Sequence, residues 1–257
     1  MEPDKPGLQE AAARLRAARR TVALTGAGMS VESGIPPFRG GAEGGGLWDR
    51  YDPMEYGTIE AFRHHPAKAW MMLRELSRTL SAAAPHAGHR ALAHMEENGW
   101  LGGVITQNID GLHQAAGSRR VLEFHGSWRT MTCMGCRTRV PSGSVPLEES
   151  PPACSQCSGP LKPDVILFGE IIPAAIIDRA VAQVRSSDCL VVVGTSAEVV
   201  PASLLPAEAR RGGAFIIEVN TQESALTRDL VDLKLTGPAG VVLPALLDAL
   251  TGTKERP

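Results

Sequence analysis

The sequence predicts an α/β protein: a doubly wound parallel sheet with a smaller inserted domain. Three observations carry this reading. Short apolar runs at 22–24, 104–105, 189–193, 214–219 and 233–235 alternate with helix-like segments, as buried parallel strands do. The first run leads directly into a glycine turn, Gly26-Ala27-Gly28. Just past the midpoint, two CxxC pairs interrupt the alternation and predict a separate metal-bound module.

Taken in order, residues 8–20 combine helix formers, a sparse apolar stripe and basic residues at the end, as a helix feeding the first strand should. After the strand, glycines tolerate a tight turn and let the backbone approach an anion, while the N–H groups of a following helix start favour negative charge. Val31 stands where the third glycine of a GxGxxG fingerprint would be, so on these glycines alone a plain strand-to-helix turn is an equal alternative. The prolines 36 and 37, followed by Phe38-Arg39, shift the reading toward a loop over a ligand, with a ring to shield it and a cation to hold it. Residues 40–53 are too glycine-rich for regular structure. Residues 58–81 read as helix interrupted near Pro66, with Trp70, Leu73, Leu76 and Leu80 at helical spacing. Pro85-His86 opens another helix, stopped at Asn98-Gly99.

Composition bounds the function. With 257 residues, 43% hydrophobic and 21% charged, the chain can bury a full core. A net charge of −2 speaks against nucleic acid or an anionic membrane as direct partner. Met1-Glu2-Pro3-Asp4 lacks the start of a signal peptide, so the expected location is cytoplasmic.

Cys133-x-x-Cys136 and Cys154-x-x-Cys157, with 17 residues between the pairs, have the spacing of a structural zinc ribbon. Disulfides are the competing reading, disfavoured in a reducing compartment. Four protein ligands leave no open position for water, so the metal is expected to be structural. Cys189 reads as a small buried core residue.

Of seven histidines, His125 alone stands at the end of an apolar strand next to glycine. There it could face a cleft and act as a base, although on its own the setting favours a satisfied structural histidine. Gln107, Asn108 and Asp110 follow another strand end, Gly194-Thr195-Ser196 a third and Asn220 a fourth. Strand ends line the ligand crevice in doubly wound sheets, and these four junctions outline one of dinucleotide size.

With these segments assembled, the chain resembles the sirtuins, the NAD-dependent protein-lysine deacylases. The resemblance runs through residues 26–40, TQNIDGLH at 106–113, LEFHG at 122–126, the paired CxxC, LKPDVILFGE at 161–170, GTSAEVVPA at 194–202, EVN at 218–220 and GPAGVVLPAL at 237–246. It implies a Rossmann-like domain of residues 1–38, 85–127 and 161–257. A small domain would comprise the cofactor loop and helical module, 39–84, and the zinc ribbon, 128–160.

Carried over by residue, the resemblance sets Gly26, Ala27, Gly28 and Ser30 at the NAD pyrophosphate, with Phe38 and Arg39 in the cofactor loop. Gln107 and Asn108 would meet the nicotinamide ribose, and Ile109 and Asp110 the carboxamide. Gly194, Thr195, Ser196 and Asn220 would serve the phosphate and adenosine ribose, and Ala239 the adenine. Val165, Phe168 and Gly169 on one side, Glu198 and Val199 on the other, would sandwich an acyl-lysine protein or peptide as an added strand. Asn108 and His125 are the implied catalytic pair. In the family reaction, the acyl oxygen displaces nicotinamide, His125 takes a proton from a ribose hydroxyl, and O-acyl-ADP-ribose leaves. Met29, Pro37 and Ala197 depart from the usual pattern without removing a reacting group. A dehydrogenase would not explain the zinc ribbon with NID and FHG, and a zinc-ribbon nucleic-acid module would not explain the glycine turn. The nearest rival is mono-ADP-ribosyl transfer to protein, which shares the NAD contacts.

Overall fold

A computed structural model describes residues 4–36, 50–147 and 151–252. Phe38 and Arg39, and with them Pro37 and Ala42, lie outside the described residues.

Six parallel strands form the main sheet. They are β1 (Thr21–Thr25), β2 (Val104–Thr106), β3 (Val121–Glu123), β7 (Cys189–Val193), β8 (Phe215–Asn220) and β9 (Leu233–Thr236), in the order β3-β2-β1-β7-β8-β9. The chain steps outward from β1 to β3, then returns to the other side of β1 with β7, so the strand order reverses between β1 and β7. All five residues of β1 and of β7 are buried, which is why both read as apolar runs and not as alternating ones.

Alternate residues of each strand feed opposite cores. Ala23, Val191 and Ile217 pack with the helices α1 (Lys5–Ala17), α5 (Ala87–Glu97) and α9 (Ala239–Thr251). Val22, Leu24, Leu190 and Ile216 pack with α7 (Ala174–Arg185) and α8 (Leu205–Arg211). Arg14 and Arg16 lie in the last turn of α1, and the Arg16 guanidinium donates to the Leu250 carbonyl at 3.1 Å, which holds the first and last helices together.

A second, antiparallel sheet has the order β5-β4-β6, from β4 (Gly126–Cys133), β5 (Arg139–Pro141) and β6 (Leu161–Val165). The short helices α2 (Pro53–Tyr56) and α3 (Ile59–His64) and the longer α4 (Pro66–Ala82) pack on it. The break near Pro66 falls where the sequence puts it. Trp70 is fully buried, and its Nε1 donates to the Leu161 carbonyl at 2.9 Å. Phe62, Trp70, Leu73, Met131, Cys133, Cys154, Leu161 and Val165 share one core, so the helical and cysteine segments form a single unit. Leu161 pairs with Cys133 and Lys162 with Thr132, which places β6 in this small sheet. β6, which the sequence analysis groups with the large unit, pairs with β4 and adds Leu161 and Val165 to the small core.

The segment after Gly26 forms two single 3₁₀ turns, Ala27–Met29 and Val31–Ser33, in place of the expected helix start.

Candidate active site

The crevice sits where the strand order reverses, at the C-terminal ends of β1 and β7. The Gly26 N–H donates to Val193 O at 3.0 Å, and the Gly28 N–H to Gly194 O at 2.8 Å. Bare backbone is required here. A Cβ on Gly28 would lie 2.7 Å from the Gly194 Cα, and one on Gly194 would lie 2.5 Å from the Gly28 carbonyl carbon. Gly194 also has φ 58°, in the left-handed region that disfavours other residues. The glycines that suggested an anion cradle therefore also lock two loops together.

From β2, the loop 107–110 reaches across this turn. Asn108 Nδ2 donates to the Gly26 carbonyl and to Ser30 Oγ, both at 3.0 Å. Ser30 Oγ in turn donates to Asp110 Oδ2 at 2.7 Å, and Asp110 Oδ1 accepts the Leu112 N–H at 2.9 Å. Burial pushes the Asp110 carboxyl up, against the pull of its bonds from Leu112 and Ser30. Gln107 Nε2 donates to Thr195 Oγ1 at 3.1 Å, and Asn220 Nδ2 to the Thr195 carbonyl at 3.0 Å. These bonds form two sets, Asn108–Ser30–Asp110 and Gln107–Thr195–Asn220, which meet at the peptide between residues 107 and 108. Ser196 is exposed beside it, Ala239 is buried at the start of α9, and the Ile109 carbonyl is held by the Trp128 N–H at 3.1 Å.

His125 follows β3 and stands at the junction of the two sheets. Gly126 next to it has φ 76°, and a Cβ there would fall 2.1 Å from the Asp164 carbonyl oxygen, so this crossing needs glycine. His125 Nδ1 lies 3.1 Å from the Gln107 carbonyl. A carbonyl only accepts, so Nδ1 carries the proton and Nε2 keeps the lone pair. Burial lowers the His125 pKa, partly offset by that same bond, which favours the neutral imidazole. A neutral histidine with a fixed tautomer, and with no hydrogen bond on Nε2 among the described residues, is equipped to accept a proton.

The four predicted zinc ligands converge. The Sγ atoms of Cys133, Cys136, Cys154 and Cys157 all lie within 4.8 Å of one another. Cys133 and Cys157 sulfurs are 3.4 Å apart, and those of Cys136 and Cys154 are 3.7 Å apart. These spacings are too long for disulfides and close to the edges, about 3.8 Å, of a tetrahedron with Zn–S bonds of about 2.3 Å. The donor set and its shape fit zinc with no open position. Cys189 is buried apart from them, its thiol pushed up to about 12 by burial, as expected of a core residue.

A sequence profile of the Sir2 family matches residues 26–201, which span the glycine turn, the 107–110 loop, His125 and all four cysteines. The chain belongs to the Sir2 family.

Similarity extends well beyond that segment. NAD-dependent protein deacylase 2 of Pyrobaculum aerophilum is 46% identical over 240 residues, 91% of this chain and 92% of the relative. The crystal structure of a Sir2 homolog–NAD complex matches with a TM-score of 0.86 and 39% identity, over 97% of this chain and 94% of that one. A Sir2 variant with deacetylated p53 peptide and 3′-O-acetyl ADP ribose matches with a TM-score of 0.87 and 31% identity, over 96% and 98%.

After β6, the backbone of Phe168 is engaged within the fold: its N–H donates to Gly57 O and its carbonyl accepts from Ile59 N, both at 3.0 Å. Gly169 is exposed with φ 72°, Val165 is buried, and Glu198 and Val199 lie in the loop after β7. Ala197 there adopts φ 57° without being glycine.

The sequence reading missed a histidine layer beneath this Sir2 site. His86 Nε2 lies 2.6 Å from the Met29 carbonyl, and His86 Nδ1 accepts the Gly88 N–H at 2.9 Å. The His89 ring packs between those of His86 and His113, with centroids 4.4 and 5.0 Å away. His113 Nε2 meets Thr25 Oγ1 at 2.9 Å, and Thr25 Oγ1 donates to Thr106 Oγ1 at the same distance. Burial drives His89 down to about 2 and His113 to about 4. Glu32 Oε2 accepts the Gly240 N–H at 2.6 Å, capping α9 from the cofactor turn. His86, His89 and His113 were visible in PHAGH and GLH, but only the fold stacks them.

Proposed function

We propose that this chain removes acyl groups from lysines of proteins or peptides with NAD as co-substrate, giving nicotinamide and O-acyl-ADP-ribose. The observation that carries it is the pairing of two features at neighbouring strand ends. One is the Ser30–Asn108–Asp110 network at the glycine turn; the other is His125, with Nδ1 fixed on Gln107 and Nε2 bare.

The residues divide the work. Gly26, Ala27 and Gly28, with Gly194, Thr195, Ser196, Asn220 and Ala239, hold the phosphates and the adenosine end. Gln107 and Asn108 hold the second ribose, and Ile109 with Asp110 the carboxamide; the raised pKa of Asp110 suits a carboxyl that shares hydrogen bonds in a dry pocket. NAD, when bound, supplies an electrophilic ribose carbon and the hydroxyls that carry away the acyl group. His125 Nε2 accepts a proton from such a hydroxyl. Phe38 and Arg39, which the resemblance assigns to the cofactor loop, lie outside the described residues. The peptide lies between the Val165–Gly169 segment and Glu198–Val199. In this division the nucleotide-binding unit takes residues 1–38, 85–127 and the chain beyond β6, and the cysteine and helical segments form the small domain, braced by zinc.

The test is a balance of products from an acetyl-lysine peptide and NAD. Nicotinamide, free-lysine peptide and O-acetyl-ADP-ribose should form in equal amounts. Nicotinamide release with the acetyl group intact and ADP-ribose on protein would establish transfer to protein instead.

A further inference from the structure

At the opposite ends of the strands, away from the crevice, a second cavity of about 360 Å³ opens between the starts of β1 and β3 and the helix α7. Four arginines from three separate segments line it: Arg20 before β1, Arg119 and Arg120 before β3, and Arg179 from α7. Its floor is the bare backbone at Gly102 and Gly103. A Cβ on Gly102 would lie 2.9 Å from the Thr21 carbonyl, and one on Gly103 would lie 2.8 Å from the Arg120 carbonyl, so side chains cannot fill the space from below.

The charges around it do not cancel. Glu96 accepts the backbone N–H groups of Arg119 and Arg120 and pairs with Arg120 Nε at 3.2 Å. Asp188 accepts the backbone N–H groups of Arg19 and Arg20, while the Arg20 guanidinium donates to Ser186 Oγ. Among the described residues, the guanidinium groups of Arg119 and Arg179 have no carboxylate within 4 Å. A chain of net charge −2 therefore concentrates uncompensated positive charge around one hollow.

We propose that this basin binds a small polyanion carrying at least two phosphate groups. The guanidinium fork matches phosphate oxygens in pairs, and cations converging from three directions suit adjacent phosphates better than a single one. The volume lies at the lower end of small-molecule sites. A nucleic-acid backbone needs cations spread along its length, whereas these ring a single hollow.

The test is calorimetric titration of inorganic triphosphate into the full chain saturated with ADP-ribose, after ADP-ribose binding has been measured alone. One binding event is expected, weakening with added salt. It should fall at least tenfold in Arg119→Gln/Arg179→Gln, with the melting temperature and ADP-ribose affinity unchanged. Arg179→Gln, whose side chain makes no hydrogen bond among the described residues, is the second variant if the first folds poorly. No heat with wild type, equal affinity in the variants, or preference for a duplex oligonucleotide over triphosphate at the same salt would overturn the proposal. Should ADP-ribose itself not bind, the NAD assignment fails on its own, and triphosphate titrated alone into wild type and Arg179→Gln still decides this site.

Discussion

The Gly28 N–H donates to the Gly194 carbonyl at 2.8 Å, and this bond joins the loops of the two strands between which the sheet reverses. Gly194→Ala would set a Cβ 2.5 Å from the Gly28 carbonyl carbon and the Met29 nitrogen, at φ 58°. Overpacking against backbone typically costs about 1–3 kcal/mol. The variant should melt earlier and bind NAD at least tenfold more weakly, read by thermal denaturation and calorimetry. Unchanged NAD affinity would mean that the loop pair does not shape the site.

The cysteine cluster predicts one zinc per chain. Structural zinc can supply roughly 10–16 kcal/mol of apparent folding free energy in small modules. Cys154 also lies in the small core with Trp70 and Met131, so Cys154→Ala should lose both metal and fold, and activity with them. Metal analysis alongside circular dichroism checks this; an active, metal-free variant would refute it.

Much of this architecture was legible in the sequence, for identifiable reasons. β1 and β7 are buried on both faces, which is why 22–24 and 189–193 are unbroken apolar runs, and the cysteines carry their own geometry. What escaped was set by partners distant in the chain. Nothing local tells Leu161–Val165 to pair with β4, because either sheet could bury its apolar face. The expected helix start became two 3₁₀ turns because Gly28, Ser30 and Met29 make their bonds outward, to Gly194, Asn108 and His86. Glu32 carries no signal of its own in the sequence, and only the fold sets its carboxylate on the Gly240 N–H.

Stability should fall in mild acid. The folded values of His89, about 2, and His113, about 4, lie below the ordinary 6.5. Below that value the unfolded chain binds protons that the native state refuses, so this contribution is full above pH 6.5 and shrinks as pH falls. Each histidine removes up to about 1.4 kcal/mol per pH unit, His113 down to about pH 4 and His89 further. Urea midpoints should drop between pH 7.5 and 5.5, and less so in His89→Gln if that variant folds. A flat wild-type profile would contradict the buried neutral layer.

The acyl pocket should favour neutral groups such as acetyl, propionyl or butyryl. Sirtuins that remove succinyl-type groups resemble one another in a Tyr and an Arg three residues apart, places held here by Leu73 and Leu76. Leu73 is buried in the small core and Leu76 packs against it, so neither offers a donor to a carboxylate, which would be costly to bury unpaired. Ala42, in the sequence after Arg39, lies outside the described residues. Matched acetyl-, butyryl- and succinyl-lysine peptides should show kcat/KM lowest for succinyl; a succinyl preference would point to a cation such as Arg74 or Arg78 at the pocket end.

The most direct measurement of the central claim is turnover and NAD affinity on the same variant, His125→Ala. His125 touches the network only through the Gln107 carbonyl, while Asn108, Ser30, Thr195 and Asn220 keep their own bonds. NAD binding should stay within a few-fold of wild type, and turnover should fall roughly 100- to 10,000-fold with the loss of a positioned base. In the wild type, kcat/KM should rise with pH on the acid side of 6.5 and then level, since burial lowers this histidine's pKa. Near-normal turnover by His125→Ala would show that the histidine only props the junction of the two sheets, and would contradict the account.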